Sequence, residues 1–413
     1  MSAVQTPGTA APSYRRSWRL AALLASLSMV GPFSVDLYLP AFPEIMREFA
    51  TSTMAMQQTL SIYLFAYAFM MLWHGALSDA LGRRPVVIAG LALYAFATLG
   101  CAVAGNIASL WLFRAAQGIS AGGGLVIGRA IIRDRFHGPE AQRLMSQITL
   151  MFSIAPAIAP VIGGAVLNTL GWRSIFCLLL AWVMVIFAWS VKSLPETLPK
   201  GQRQTLHPRV LWRNYISVLS RPEFLLLALI PTMNFAAFFI YIAAAPAFLV
   251  DLLGVSTWGF AWLFVPMIAG IVIGATISGR VAGHCSPKFT IRLGYQFVAA
   301  GVLANIAICA AAPTGVTWYV MPIMICTIGT AIIAPSVTLM LLDFFPTTRG
   351  LASSLQGFVQ FSAAGFVAGS IAPLLARSLP ALAWGMAGFA LAGFALWLVY
   401  QRHARTTLEE WKR

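Results

Sequence analysis

Twelve runs of about twenty apolar residues, set off by charged or Pro/Gly-rich breaks, dominate this chain. They lie near 20–41, 56–76, 86–105, 108–131, 145–167 and 173–191, and then near 223–250, 258–281, 292–312, 317–342, 351–376 and 381–401. Wound as a helix, a run of that length matches the hydrocarbon core of a bilayer. With 59% hydrophobic and 9% charged residues, the chain lacks the polar surface that water would require. No run alternates with the period of two expected of a barrel strand. The expected fold is an all-α membrane protein with twelve transmembrane helices.

A net charge of +15 suggests nucleic acid until its distribution is followed. With the N-terminus assigned to the cytoplasm, the inner segments carry Arg15, Arg16, Arg19, Arg83, Arg84, Arg133, Arg135 and Arg143 in the first half. Lys192, Lys200, Arg203, Arg209, Arg213, Arg221, Arg280, Lys288, Arg292 and Arg349 follow, and the outer loops hold only Arg47, Arg173 and Arg377. Basic residues at alternate helix ends follow the positive-inside rule, so both termini are expected in the cytoplasm. A nucleic-acid partner would need a continuous basic face instead, and none is expected. The first run follows Arg15, Arg16 and Arg19 without a small-x-small cleavage site, which reads as a span rather than a cleaved signal. The five cysteines stand singly, without metal-ligand spacing, so neither a metal nor an organic cofactor is expected.

The longest polar interval, 192–222, separates two sets of six runs. The expected organisation is a tail (1–19), a six-helix bundle (20–191), a cytoplasmic linker (192–222), a second six-helix bundle (223–401) and a tail (402–413). Such pseudo-symmetric halves suit a central site opened alternately to each side. Within the linker, Trp212 and Tyr215 beside Arg213 suggest an interfacial amphipathic turn.

Twelve acidic residues are few enough to place one by one, and only Asp36 falls within a span. An ionised carboxylate there costs a few kcal/mol or more, so it is expected to face a cavity and to have a partner. Arg114 is the only basic residue that this reading places well inside a helix. Asp36 would lie about 13 Å from the outer end of the first span, and Arg114 about 10 Å from the outer end of the fourth. At matching depth the two form a candidate proton-coupling pair, with a permanent structural ion pair as the alternative.

Gly75-Ala-Leu-Ser-Asp79-Ala-Leu-Gly82-Arg83-Arg84-Pro85 is a short polar hinge between two apolar runs, which must therefore be antiparallel. Asp79 and Arg83 in this hinge are expected to meet Asp134 at the end of the fourth helix, forming a latch whose making and breaking biases a two-state equilibrium. In the fifth run, Pro156 and Pro160 bend the helix, while Gly163 and Gly164 let a neighbour approach closely, as a gating helix requires. Polar and aromatic residues on apolar helices are the candidates for a substrate cavity: Tyr38, Tyr63, Tyr67, Gln117, Met151, Asn234, Phe235, Phe238, Tyr241, Gln356 and Gln360.

Four stretches resemble one family: Val35-Asp-Leu-Tyr-Leu-Pro-Ala-Phe-Pro43, the Gly75–Arg84 loop, Arg114-Ala-Ala-Gln-Gly118, and the Pro/Gly-rich fifth helix followed by Gly171-Trp-Arg173. Together they look like the bicyclomycin/chloramphenicol-resistance branch of the drug:proton antiporters in the major facilitator superfamily. The resemblance implies that Asp36 is the proton-linked carboxylate, Arg114 its partner, and Asp79, Arg83 and Asp134 the inner latch. Some multidrug relatives carry a second acid earlier in the first helix, where this chain has Ala25-Ser-Leu-Ser28, which favours neutral or zwitterionic cargo.

The function expected is a proton-coupled secondary exporter of small amphiphilic molecules, with the proton as coupling ion. It would work as a monomer among the lipids of a bacterial-type inner membrane. The rivals are a proton-linked importer on the same fold, separated by the direction of accumulation, and a membrane-embedded enzyme or scaffold. No nucleophile, metal-ligand or phosphate-binding motif accompanies the spans, so an enzyme is not expected.

Overall fold

The computed structural model describes residues 14–410 apart from 137, 204, 283 and 347. The tail through residue 13, residues 411–413 and the side chains of Arg15, Arg16 and Arg143 lie outside the described residues. Among the described residues there is no β-strand. The first half contains α1 (Tyr14–Asp36), α2 (Phe42–Glu48), α3 (Thr53–Leu81), α4 (Arg83–Ala102), α5 (Ile107–Ala121), α6 (Gly123–Arg135), α7 (Gly138–Leu170) and α8 (Trp172–Ser193). Helix α9 (Pro208–Leu219) follows in the linker. The second half contains α10 (Pro222–Ala243), α11 (Ala261–Val281), α12 (Pro287–Ala311), α13 (Val316–Phe344), α14 (Arg349–Phe366), α15 (Ala372–Leu375) and α16 (Leu379–Glu410).

Eleven helical stretches among the described residues are long and apolar enough to cross a membrane. The remaining run falls in α7, whose described apolar part, Ile154–Leu170, is shorter. Two spans are composite: Arg19–Glu48 joins α1 to α2, and Ile107–Arg135 joins α5 to α6. The break between α5 and α6 falls in the Gly122-Gly123-Gly124 run, where the lack of side chains lets α6 ride closely on α1. A Cβ on Gly124 would lie 2.3 Å from the Leu27 carbonyl oxygen.

Local signals set where the helices start. The Ser52 hydroxyl accepts from the Ala55 amide (3.2 Å) to cap α3, and Asn106 with Ser109 forms a capping box on α5. Gly82, at φ +105°, turns the chain between α3 and α4 in a backbone region that side chains disfavour. The end of the bundle carrying Arg83, Arg84, Arg133 and Arg135 is the basic end. At the opposite end, Glu48 on α2 accepts from the Trp172 indole (2.7 Å) and pairs with Arg173 (2.6 Å), docking the start of α8.

The halves meet along α3 with α14 and α7 with α11. Near the opposite end, three α3 side chains donate across the interface to backbone carbonyls: Gln57 to Ala243 (2.8 Å), Gln58 to Gly369 (2.9 Å) and Ser61 to Gly365 (2.8 Å). At the basic end the linker helix packs against α10 and α14 of the second half and is tied to the first half by a hydrogen bond. The expected amphipathic turn is the full helix α9, with Trp212 exposed and Tyr215 buried and donating to the Leu72 carbonyl (2.6 Å). Burial pushes the Tyr215 phenol up to about 12, so it remains a donor at neutral pH.

Candidate functional site

Between the halves lies an apolar cavity of about 200 Å³. The first half contributes Asp36, Tyr63, Tyr67 and Pro156, and the second half contributes Phe235, Phe238 and Gln360. The cavity also takes in Phe239, Met267 and Phe361, which the sequence reading passed over because nothing separates an apolar cavity residue from core packing in one dimension. Tyr67 and Phe361 pack ring to ring across the two halves, with centroids 4.9 Å apart. A larger space of about 810 Å³ lies toward the basic end, lined by α3, α6, the linker and Thr348–Ser354 of the second half.

Asp36 is 4% exposed and is the only acidic residue among those lining the apolar cavity. It makes no ion pair among the described residues. This corrects the expected pairing with Arg114, because the guanidinium is engaged elsewhere. Arg114, fully buried, donates to the Ser34 carbonyl (2.9 Å), to Gln117 Oε1 (2.8 Å) and to the Thr59 carbonyl (3.4 Å). Its guanidinium carbon also lies over the rings of Tyr38 (4.4 Å) and Tyr63 (4.3 Å). Carbonyl and π-face acceptors thus satisfy the cation without a carboxylate. One guanidinium nitrogen, Nη2, keeps no partner, so the site is not fully saturated. Matching depth along two helices did not imply matching azimuth.

Several other residues support this arginine instead of lining the cavity. Tyr38 bonds Thr59, and Gln117 donates to Thr98 (2.8 Å). The Ser34 hydroxyl bonds Tyr94. Of the remaining cavity candidates, Asn234 bonds Tyr295 (3.3 Å), Tyr241 accepts from Asn305 (2.6 Å) and Gln356 bonds Thr338 (3.0 Å), each within the second half. Met151 is exposed and lines none of the described cavities, a further correction. These side chains satisfy buried polar groups or face outward, roles that residue type alone does not separate from ligand contact.

Asp79, Arg83 and Asp134 do come together. Arg83 pairs with Asp79 (2.5 Å) and with Asp134 (3.1 Å) and donates to the Ser78 hydroxyl (2.6 Å). The segment after α8 completes the cluster, with Thr197 donating to Asp134 (2.8 Å) and Glu196 accepting from the Arg83 amide (3.0 Å). Every partner belongs to the first half or to the segment after α8, so in this conformer the cluster ties the ends of α3, α4, α6 and α8 to one another.

On α7, Pro156 reaches the cavity, and a Cβ on Gly163 would fall 1.9 Å from the Leu37 carbonyl oxygen. Pro160 is buried one turn on, and the Gly164 carbonyl accepts from Asn168 (2.7 Å). The Pro/Gly-rich stretch therefore brings the α7 backbone against the end of α1 that bears Asp36.

The sequence reading also passed over Arg129. It lies within the span Ile107–Arg135, six residues before the end of α6, and makes no ion pair among the described residues. Its surface is exposed, and it stands near Tyr67 and Arg133. The signal was present in the sequence as a basic residue within an apolar run.

Comparison with known proteins agrees with this architecture. A family model described as "Major Facilitator Superfamily" matches residues 24–369. The chain is 28% identical over 359 residues to a protein of Haemophilus influenzae named "Bicyclomycin resistance protein homolog", covering 84% of this chain and 87% of that protein. It is 29% identical to a Pseudomonas aeruginosa "Chloramphenicol resistance protein", covering 88% and 86%. Among solved structures, a bacterial homolog of the human lysosomal transporter Spinster, inward-facing and occupied, superposes with a TM-score of 0.73. That match has 17% identity and covers 95% of this chain and 98% of the other, a likeness of fold.

Proposed function

Because the chain belongs to the Major Facilitator Superfamily, we propose that it is a proton-coupled exporter of small amphiphilic molecules working by alternating access. The observation that carries this reading is a lone carboxylate, Asp36, set in an apolar cavity between the two halves without an ion-pair partner among the described residues. An ionised carboxylate in such surroundings costs several kcal/mol, whereas the protonated acid costs far less. Charge on Asp36 therefore favours a conformer in which the cavity is wetted, and its protonation favours the closed one. A proton and an amphiphile that both need the cavity then alternate in it, which is antiport.

The aromatic lining suits the apolar body of such a molecule, and Gln360 offers a polar anchor. The names of the relatives, bicyclomycin and chloramphenicol resistance, are consistent with drug-like cargo. By the positive-inside rule the basic end is cytoplasmic, so the 810 Å³ space would admit substrate from the cytoplasm. The three interface hydrogen bonds near the opposite end, at about 0.6–1 kcal/mol each, would favour that conformer by roughly 20- to 150-fold. One chain lines the whole cavity, so a monomer suffices.

The test is Asp36→Asn in inside-out membrane vesicles bearing an imposed pH gradient. Expected is a folded, membrane-inserted protein that exchanges substrate down its own gradient but no longer accumulates it against one. Gradient-driven accumulation at the wild-type level in that variant refutes the coupling role. Accumulation in the opposite vesicle orientation would instead make the protein an importer.

A further inference from the structure

We propose that Arg129 is a specificity-determining cation of the transport pathway, which binds an acidic group on the substrate while the apolar cavity takes its hydrophobic body. This rests on the transport reading above and names the substrate class.

On α6, Val126, Ala130 and Arg133 line the space at the basic end. At about 100° per residue, Arg129 lies within roughly 60° of Val126 and 40° of Arg133. Gly122, two turns earlier and about 20° away, faces the His74 and Tyr67 rings, each 3.4 Å from where its Cβ would stand. The far face of α6 is spoken for, because Gly124 and Gly128 pack on Leu27 and Leu24 of α1. Arg129 therefore lies on the α6 face that borders the open space, beside Val126, Ala130 and Arg133, with its surface accessible.

Arg114 is held by the Ser34 and Thr59 carbonyls and Gln117, between two tyrosine rings. Arg83 is paired with Asp79 and Asp134. Arg129 has no such partner among the described residues and sits about 9 Å inside the end of its span with its surface exposed, open to a ligand's charge. A neighbouring cation, Arg133, adds to the positive potential, and Tyr67, close to Arg129, also lines the apolar cavity. A molecule with its hydrophobic part among Tyr67, Phe361 and Phe238 would thus present a polar head to a guanidinium, whose planar fork suits a carboxylate. Asp36, also in the cavity, opposes a second acid there, so the acidic group belongs at the Arg129 end.

The probes are 2-anthracenecarboxylate and its primary amide, matched in shape and differing in charge. Binding to the purified full chain is read by fluorescence in phosphatidylcholine nanodiscs. Expected for the wild type is at least tenfold tighter binding of the carboxylate. Arg129→Gln is expected to lower carboxylate affinity about 10- to 100-fold, the range of a lost charge-assisted hydrogen bond, and to leave the amide unchanged. Arg129→Lys is expected to restore part of the preference. An unchanged carboxylate-to-amide ratio in Arg129→Gln, an equal loss of both probes, or no carboxylate preference in the wild type would overturn the proposal. So would displacement of the carboxylate when phosphatidylglycerol is added, because that assigns the cation to a lipid headgroup. Selective binding without gradient-driven transport would leave this inference standing while removing the exporter reading.

Discussion

The Arg114 guanidinium stacks over the Tyr63 ring at 4.3 Å, and the same ring lines the cavity that holds Asp36. The arginine and the carboxylate are thus neighbours of one tyrosine without being partners of each other. Motion of α3 relative to α1 alters what Tyr63 touches on both sides. The proposed coupling would then have a route through packing, independent of a direct ion pair.

This relationship reverses the order of stability that a direct ion pair would give two substitutions. Arg114→Lys keeps the charge but gives up the planar stack and most of the carbonyl hydrogen bonds. A loss of about 2–4 kcal/mol in stability is expected, from the cation–π and charge-assisted terms together. It should appear as a lower unfolding temperature in detergent, whereas Asp36→Asn should unfold at or above the wild-type temperature. Equal unfolding temperatures for both variants would mean that Arg114 is not the strut described.

Gly82 is constrained twice. Its φ of +105° disfavours any side chain, and a Cβ there would fall 2.4 Å from Glu196 Oε2 and 2.7 Å from the Arg203 guanidinium. Gly82→Ala is expected to cost about 1–3 kcal/mol from the backbone alone. It should also push Glu196 away from the Arg83 amide and loosen the cluster. Faster amide exchange at residues 196–203 would report that loosening, and wild-type exchange there would count against it.

At the opposite end, Gln58→Ala with Ser61→Ala removes two of the three hydrogen bonds across the interface. The population open at that end should rise by about 10- to 30-fold. A single cysteine introduced at Val35, in a background lacking the native cysteines, would then react faster with an impermeant maleimide applied from that side. An unchanged rate would show that the seal is held by packing alone.

How much of this was legible before any coordinates? The spans were, because a bilayer demands unbroken apolar length and leaves its mark on the chain in one dimension. The basic-end cluster was also legible, because the hinge between α3 and α4 is short and sterically tight and places Asp79 and Arg83 together at a helix end. Its fourth member, Glu196, was not, because reaching Gly82 depends on how the chain folds back after α8.

Cavity membership was only partly readable. Tyr63, Tyr67, Phe235, Phe238 and Gln360 line the space, whereas Tyr38, Gln117, Asn234, Tyr241 and Gln356 satisfy buried neighbours instead. Residue type says that a polar group needs a partner, and only packing says which one. Arg129 stands in the sequence as a basic residue within an apolar run, and only packing shows that it has no ion-pair partner among the described residues.

What the amino-acid order determined by itself was the medium, the number of crossings and the lone carboxylate within them, since each follows from the cost of placing a given group in hydrocarbon. What only the tertiary structure decided was the azimuth of each helix. That rotation put Asp36 on the cavity and Arg114 among carbonyls and rings, because helices without a hydrophobic drive between them settle by close backbone contact, as at Gly124 on Leu27 and Gly163 on Leu37.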